Sequence, residues 1–250
     1  MSAATETPKP NLLELLWRAG PEGSRGPRKG LTVDEVVAAA IELADAEGLE
    51  AVTVRRLAQE LGKAPMTLYT YVPGKSELAA LMLDFLFRSM ERADMGERPW
   101  RERLSLVARE NYLLYRRHPW AASVSPGRPP LGPGQCAKYE HELRAFEGLG
   151  LDDVGMDDAL GYLLGFVRTT ARDAASVDAE RAASSMSDQE WWARNGPLLA
   201  KVLDPERFPT AVRVGEAAGE AHGGAYDAGH AFEFGLARVL DGLERFIKRD

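Results

Sequence analysis

Two groups of side chains in this 250-residue sequence could do chemistry. The first contains nucleophiles and metal ligands: one cysteine, Cys136, and four histidines, His118, His141, His222 and His230, with no HExxH spacing. A lone cysteine can make neither an internal disulfide nor a cysteine–zinc site, and it fits a reducing cytoplasm. Cys136 and His141 are five apart, off the four-residue spacing that stacks two ligands on one helical face, and no third ligand is close in sequence. No metal, cofactor or catalytic residue is expected. A helical enzyme would have to assemble its site from remote segments. The second group is suited to anions and base edges. Arg55 can read guanine bidentately, Thr67 can touch a base or the thymine methyl, and Met66 can make apolar contact. The phenols of Tyr69 and Tyr71 can donate to phosphate oxygens. Thr53 and Lys75 stand at helix starts, where free N–H groups and the helix dipole already favour an anion. Pro65, beside Met66, has neither an N–H nor a polar side chain, so hydrogen-bonded readout is not expected there.

These residues need helices to hold them. Thr32 and Glu35 form a capping box, and Val33, Val37, Ala40, Ile41 and Ala44 follow on one face until Gly48 ends the helix. Thr53 caps a second helix running to about Leu61, and Gly62 stops it. A third runs from about Pro65 to Tyr71, Pro73-Gly74 turns the chain, and a fourth runs from Lys75 to about Asp94. Two closely crossing helices need a small residue at their contact, here Ala58. The sharp turn four residues on needs a positive φ, here at Gly62. That spacing fits a helix-turn-helix over residues 53–72, whose second helix keeps an outer face for a major groove, although many helical proteins carry a Thr, Ala and Gly at these spacings by chance.

Charge separates this segment from the rest. The whole chain carries −7, which by itself argues against a surface coated with nucleic acid. Between Ala51 and Ser76, however, Arg55, Arg56, Lys63 and Lys75 face only Glu60, a net +3. Arg25, Arg28 and Lys29 add a second basic segment within 1–30, read as a flexible extension whose arginines suit a narrow minor groove or simply stay solvated. Within it, Asn11 to Ala19 can form a short amphipathic turn or two with Leu12, Leu13, Leu16 and Trp17 on one side. No eighteen-residue apolar run occurs, and the start lacks the pattern of a secretory signal, so a cytoplasmic protein without a membrane span is expected.

The stretch LTVDEVVAAAIELADAEGLEAVTVRRLAQELG followed by KAPMTLYTYVPGKSELAALML, Leu31 to Leu83, closely resembles the DNA-binding domain of the TetR family of bacterial transcriptional regulators. The most specific run is Thr67, Leu68, Tyr69, Val72, Lys75 and Leu78. The resemblance implies that Arg55, Pro65, Met66 and Thr67 lie against bases, and that Thr53, Tyr69, Tyr71 and Lys75 hold phosphates. Tyr71 departs from the histidine frequent before the valine in that family. The expected fold is therefore all-α: residues 31–92 form the helix-turn-helix domain and 93–250 a helical effector-binding and dimerisation domain.

Further helices are expected at Trp100–His118, Gly134–Leu149, Asp157–Ala175, Asp188–Leu203 and Asp227–Lys248, separated by breakers at Pro119, the SPGRPPLGPG stretch at 125–134, Gly150, Pro205, Pro209 and Gly223-Gly224. The resemblance implies homodimerisation through residues 157–175 and 227–248. The first carries Gly161, Gly165 and Ala171, and the second Gly229, Gly235 and Ala237. The remaining helices would enclose a small-molecule effector among Met82, Phe85, Trp100, Tyr112, Tyr115, Trp120, Phe146, Phe166 and Trp191, with Arg168 as a polar anchor. Arg109, Glu110 and Asn111 are further polar candidates. The expectation is a homodimeric repressor that leaves operator DNA when it binds its effector. The competing readings are a dimeric helical scaffold without DNA binding and the enzyme discussed above.

Overall fold

The computed structural model describes residues 11–18, 30–124, 129–223 and 226–248, and among them every regular element is helical. The chain divides into two compact units, Met1–Leu160 and Gly161–Asp250. The basic residues Arg25, Arg28 and Lys29 lie outside the described residues.

The first unit opens with a short helix, α1 (Leu12–Leu16), capped by Asn11 and Glu14 in a capping box. Leu15 and Leu16 are its buried side chains, whereas Leu13 and Trp17 are exposed. The sequence suggested a face of Leu12, Leu13, Leu16 and Trp17. The difference arises because α1 packs on α5 (Lys75–Ser89), and Trp17 Nε1 donates to the Leu131 carbonyl at 2.8 Å.

Helix α2 (Val33–Glu47) begins at the Thr32–Glu35 capping box, with both reciprocal bonds formed, and ends at Gly48. Val36, Val37, Ala40, Ile41, Leu43 and Ala44 are buried. A 3-10 turn (Leu49–Ala51) leads to α3 (Val54–Glu60), capped by Thr53, and then to α4 (Pro65–Leu68). Ala58 is buried at 2% exposure, as a close crossing of α3 and α4 requires. Gly62 takes φ +61° at the turn between them. Helix α5 ends at Ser89, short of the expected Asp94, and the Ala93 N–H is bound instead by the Glu110 side chain at 2.7 Å.

Helices α6 (Trp100–Arg117), α7 (Pro119–Ser123) and α8 (Pro133–Arg144) complete this unit. Pro119 had read as a breaker, but it occupies the first turn of α7, where its missing N–H costs nothing. Helix α9 (Asp153–Ser184) starts in the first unit and continues into the second. It outruns the expected end at Ala175, because nothing from 176 to 184 breaks a helix and the reversal comes only at Ser185, φ +51°.

In the second unit follow α10 (Asp188–Val202), α11 (Pro209–His222) and α12 (Ala228–Ile247). Helix α11 was not expected. Pro209 and Gly223 looked like punctuation between helices, but Pro209 starts α11 and Gly223, in the left-handed region, ends it. Phe166 on α9 stacks on Phe232 of α12, with ring centroids 6.0 Å apart. A Cβ on Gly235 would sit 2.3 Å from the Phe166 ring, so that glycine serves contact within the chain. Among the described residues, nothing beyond the local helix backbone lies within 4 Å of the positions a Cβ would take on Gly161, Gly165 and Gly242.

Candidate nucleic-acid interface and the joints behind it

The ends of three helices meet around a notch of about 340 Å³. Thr53 and Arg55 from α3, Tyr69 from the end of α4, and Gly74 and Lys75 from the start of α5 line it. Local sequence causes this convergence. Thr53 Oγ1 accepts from Arg56 N at 3.2 Å, which fixes the start of α3 and leaves the hydroxyl hydrogen available to an outside acceptor. Gly74 offers no side-chain cap to α5, so the first-turn N–H groups there stay open beside Lys75. Arg55 and Tyr69 are exposed, and Arg55 has no ion pair among the described residues.

Along α4, Pro65 and Met66 are exposed, Met66 to 75%, while Thr67 and Tyr71 are half-buried. These four do not line the notch. Leu68, between them, is buried and anchors the short helix. The surface therefore combines an apolar, hydroxyl-bearing helix face with a recess in which Thr53, Arg55, Tyr69 and Lys75 add hydroxyls and cations to a mainly aliphatic lining that includes Val36, Leu57 and Val72. Such a recess suits phosphate oxygens, and such a face suits base edges.

The structure tempers the +3 read from residues 51–76. Arg56 lies 2.9 Å from Glu47 and 3.0 Å from Glu60, and Lys75 lies 3.2 Å from Glu50. Glu47 and Glu50 sit just upstream of that window in sequence but beside its cations in space. All these pairs are substantially exposed, so each is weak and yields readily to a phosphate.

Behind this surface, two carboxylates tie α2 and α5 to the helices that follow. Asp84, on the apolar stretch of α5, is buried at 5% exposure, and its Oδ1 accepts from Gln135 N at 2.9 Å. It caps α8 from another helix, because Gly132 at the α8 N-cap has no side chain to do so. The helices cross so closely that a Cβ on Gly134 would lie 2.0 Å from the Asp84 carbonyl oxygen. The second tie is Asp45, at the end of α2. Its Oδ1 accepts from Trp120 Nε1 at 2.7 Å, and His118 Nδ1 is 2.9 Å from both its oxygens.

A buried polar cluster lies deeper in the first unit. Lys138 Nζ is 2.7 and 2.8 Å from the two carboxylate oxygens of Glu142, and 5.2 Å from the centroid of the Phe87 ring on α5. Asn111 Nδ2 donates to Glu142 Oε1 at 2.6 Å and to the Val107 carbonyl at 2.9 Å, whereas Asn111 Oδ1 is buried with no hydrogen-bond partner among the described residues. Sequence reasoning named Asn111 among polar anchors but missed Lys138 and Glu142. Their i,i+4 spacing looks like an ordinary surface pair, and only the packing of α8 on α5 and α6 buries it.

The aromatic residues chosen from sequence scatter. Met82, Tyr115, Trp120 and Phe146 are buried, while Phe85, Trp100, Tyr112 and Phe166 are half-buried. Arg88 lies over the Phe85 ring and Arg101 over Trp100. Arg168 is exposed on α9, and none of these nine lines the notch or either of two cavities in the second unit, of about 540 and 810 Å³. Trp191 alone of the ten lines one, the 540 Å³ cavity. Among the described residues, no cluster of three or more His, Cys, Asp or Glu could hold a metal ion, and no helix is long and apolar enough to cross a membrane.

Comparison with known proteins gives these features a family. Residues 36–82 match the profile of bacterial regulatory proteins of the tetR family, and residues 93–247 that of the tetracyclin repressor-like C-terminal domain. The HTH-type transcriptional repressor DrrR1 of Streptomyces coeruleorubidus is 43% identical over 236 residues, covering 94% of this chain and 85% of that one. The class E tetracycline repressor protein of Escherichia coli is 32% identical over 219 residues, 85% of this chain and 90% of that one. Among solved structures, Streptomyces coelicolor ActR in complex with actinorhodin superposes with a TM-score of 0.72 at 28% identity, over 88% of this chain and all of that one. With its helix-turn-helix, open recess and all-helical remainder, the chain belongs to the TetR family of DNA-binding transcriptional regulators.

Proposed function

We propose that the chain is a homodimeric repressor, released from operator DNA when a small molecule binds behind α5. The observation that carries this reading is the convergence of Thr53, Arg55, Tyr69 and Lys75 on one recess beside an exposed α4. Arg55, Thr67 and Met66 meet bases, and Pro65 limits hydrogen-bonded readout at its own position. Thr53, Tyr69, Tyr71 and Lys75 hold phosphate oxygens. Arg25, Arg28 and Lys29 supply a minor-groove contact. Residues 31–92 form the DNA-binding domain and 93–250 the effector and dimerisation domain of a bacterial cytoplasmic protein.

Two chains pair through α9 and α12. Support comes from aromatic side chains left exposed on these helices, Tyr162, Phe234 and Phe246, next to glycines with open space over them, Gly161, Gly165 and Gly242. Small residues let helices approach, and the aromatics supply the area to bury.

The effector acts through α5. A buried ion pair is costly to keep for stability alone. We read Asn111, Glu142 and Lys138, with the orphan Asn111 Oδ1, as the polar anchor of the effector site, in direct contact with Phe87 of α5. A ligand donor to Asn111 Oδ1 perturbs the Lys138–Phe87 contact and moves α5 against the Asp84 and Asp45 ties. It can do so only through its differential affinity for the two states. Two relatives support a small-molecule effector: the class E tetracycline repressor protein, and ActR, which binds actinorhodin in its solved complex.

The test is fluorescence anisotropy on labelled duplexes over a salt series. The repressor reading predicts saturable binding whose affinity falls steeply between about 50 and 200 mM salt, as counterions are released from phosphates. A salt-independent signal, or none in dilute buffer, leaves the scaffold reading in its place.

A further inference from the structure

The 540 Å³ cavity of the second unit lies where the end of α9 meets the start of α10 and Tyr226, just before α12. Its volume falls within the roughly 300–1,000 Å³ usual for small-molecule sites. Trp191 and Trp192 stand at 84° to each other with centroids 5.0 Å apart, so their indoles form two walls of a corner. Tyr226 and Met186 add a phenol and a thioether. Trp191 is 45% exposed, an unusual cost for an indole that only fills a core.

The charges around this aromatic corner select the ligand. Arg181 is the one guanidinium among the lining residues. It donates through Nε to Asp188 Oδ1 at 3.0 Å, pairs a second time with the same carboxylate, and lies 3.6 Å from Asp178. That pairing holds the Asp188 carboxyl below the ordinary carboxylate range, and Arg181 also feels the charge of Asp227. An anionic ligand would have to displace Asp188 to reach the guanidinium. Glu180 lines the cavity with no hydrogen bond or ion pair among the described residues. Asp178, Glu180, Asp188 and Asp227 therefore outnumber Arg181. His222 and His230, beside Asp227, add positive charge only when protonated.

We propose that this cavity is a binding site for an organic cation with delocalised charge, its aromatic groups stacked in the Trp191–Trp192 corner and its charge facing Glu180. Ring faces attract a cation through their quadrupole, most strongly for tryptophan, and a diffuse charge loses little hydration on entering. The site is separate from the buried Asn111–Glu142–Lys138 cluster and does not depend on the DNA-binding reading.

Two isosteric ions of opposite charge provide the test. The full chain is titrated by calorimetry, without DNA, with tetraphenylphosphonium and separately with tetraphenylborate. Saturable phosphonium binding, at least tenfold tighter than borate, is expected. Trp191→Ala should weaken phosphonium binding at least fivefold, and Glu180→Gln should narrow the gap between the two ions at least threefold. Circular dichroism checks that each variant is folded. Should Trp191→Ala not fold, the surface substitution Glu180→Gln decides alone. No phosphonium binding up to millimolar concentration, borate binding as tight or tighter, or Glu180→Gln leaving the gap unchanged would each overturn the site.

Discussion

Arg55 and Lys75 share one recess, and the proposed function assigns them to different parts of a duplex. Among the described residues Arg55 has no ion pair holding it back, so Arg55→Ala should reduce discrimination between the preferred and altered operators by about 1–3 kcal/mol, measured by competition between duplexes. Lys75→Ala should weaken binding to every sequence alike and flatten the log–log salt slope by about one. The Lys75–Glu50 pair adds a converse expectation. Glu50→Gln should raise affinity for all duplexes, most at low salt, because the lysine no longer has to leave a carboxylate; unchanged affinity would detach Lys75 from phosphate. The types and spacing of Thr53, Arg55, Tyr69 and Lys75 were legible because helix caps and the Gly62 turn are local signals. The partners Glu47 and Glu50 were not, since what places them is the packing of α2 and its 3-10 turn against α3 and α5.

Among the elements, the α5–α8 crossing is the joint through which the proposed effector response would reach the DNA-binding surface. Gly134→Ala would drive a methyl into the α5 backbone, where no side chain can swing aside. Such overpacking typically costs about 1–3 kcal/mol, so the urea midpoint should fall and operator affinity should change with it. A midpoint equal to that of the parent would mean that the helices do not cross so closely. Capping patterns and apolar periodicity marked most of the helices. They misread Pro119 and Pro209, because a proline starts a helix as readily as it separates two, and only the following residues' packing decides. Asp84 was visible as an acid in an apolar run, LMLDFLF, but its role as the cap of α8 depends on a contact 51 residues away.

For the whole molecule, the account requires two chains. A single helix-turn-helix reads one half-site, and pairing doubles the contacts and fixes the spacing. Phe234, 57% exposed on α12 beneath Arg238, is the side chain to challenge. Phe234→Glu places a charge where the apolar contact is proposed, and sedimentation should show the dimer giving way to monomer while helicity is kept. Operator affinity should fall at least tenfold in the same variant. The most direct measurement of the central claim is selection of bound sites from a random duplex pool with the purified full-length chain. Enrichment of one two-fold symmetric site, its half-sites one helical turn or a multiple apart, is the expected result; a pool that stays unenriched, or yields isolated half-sites without symmetry, would contradict it.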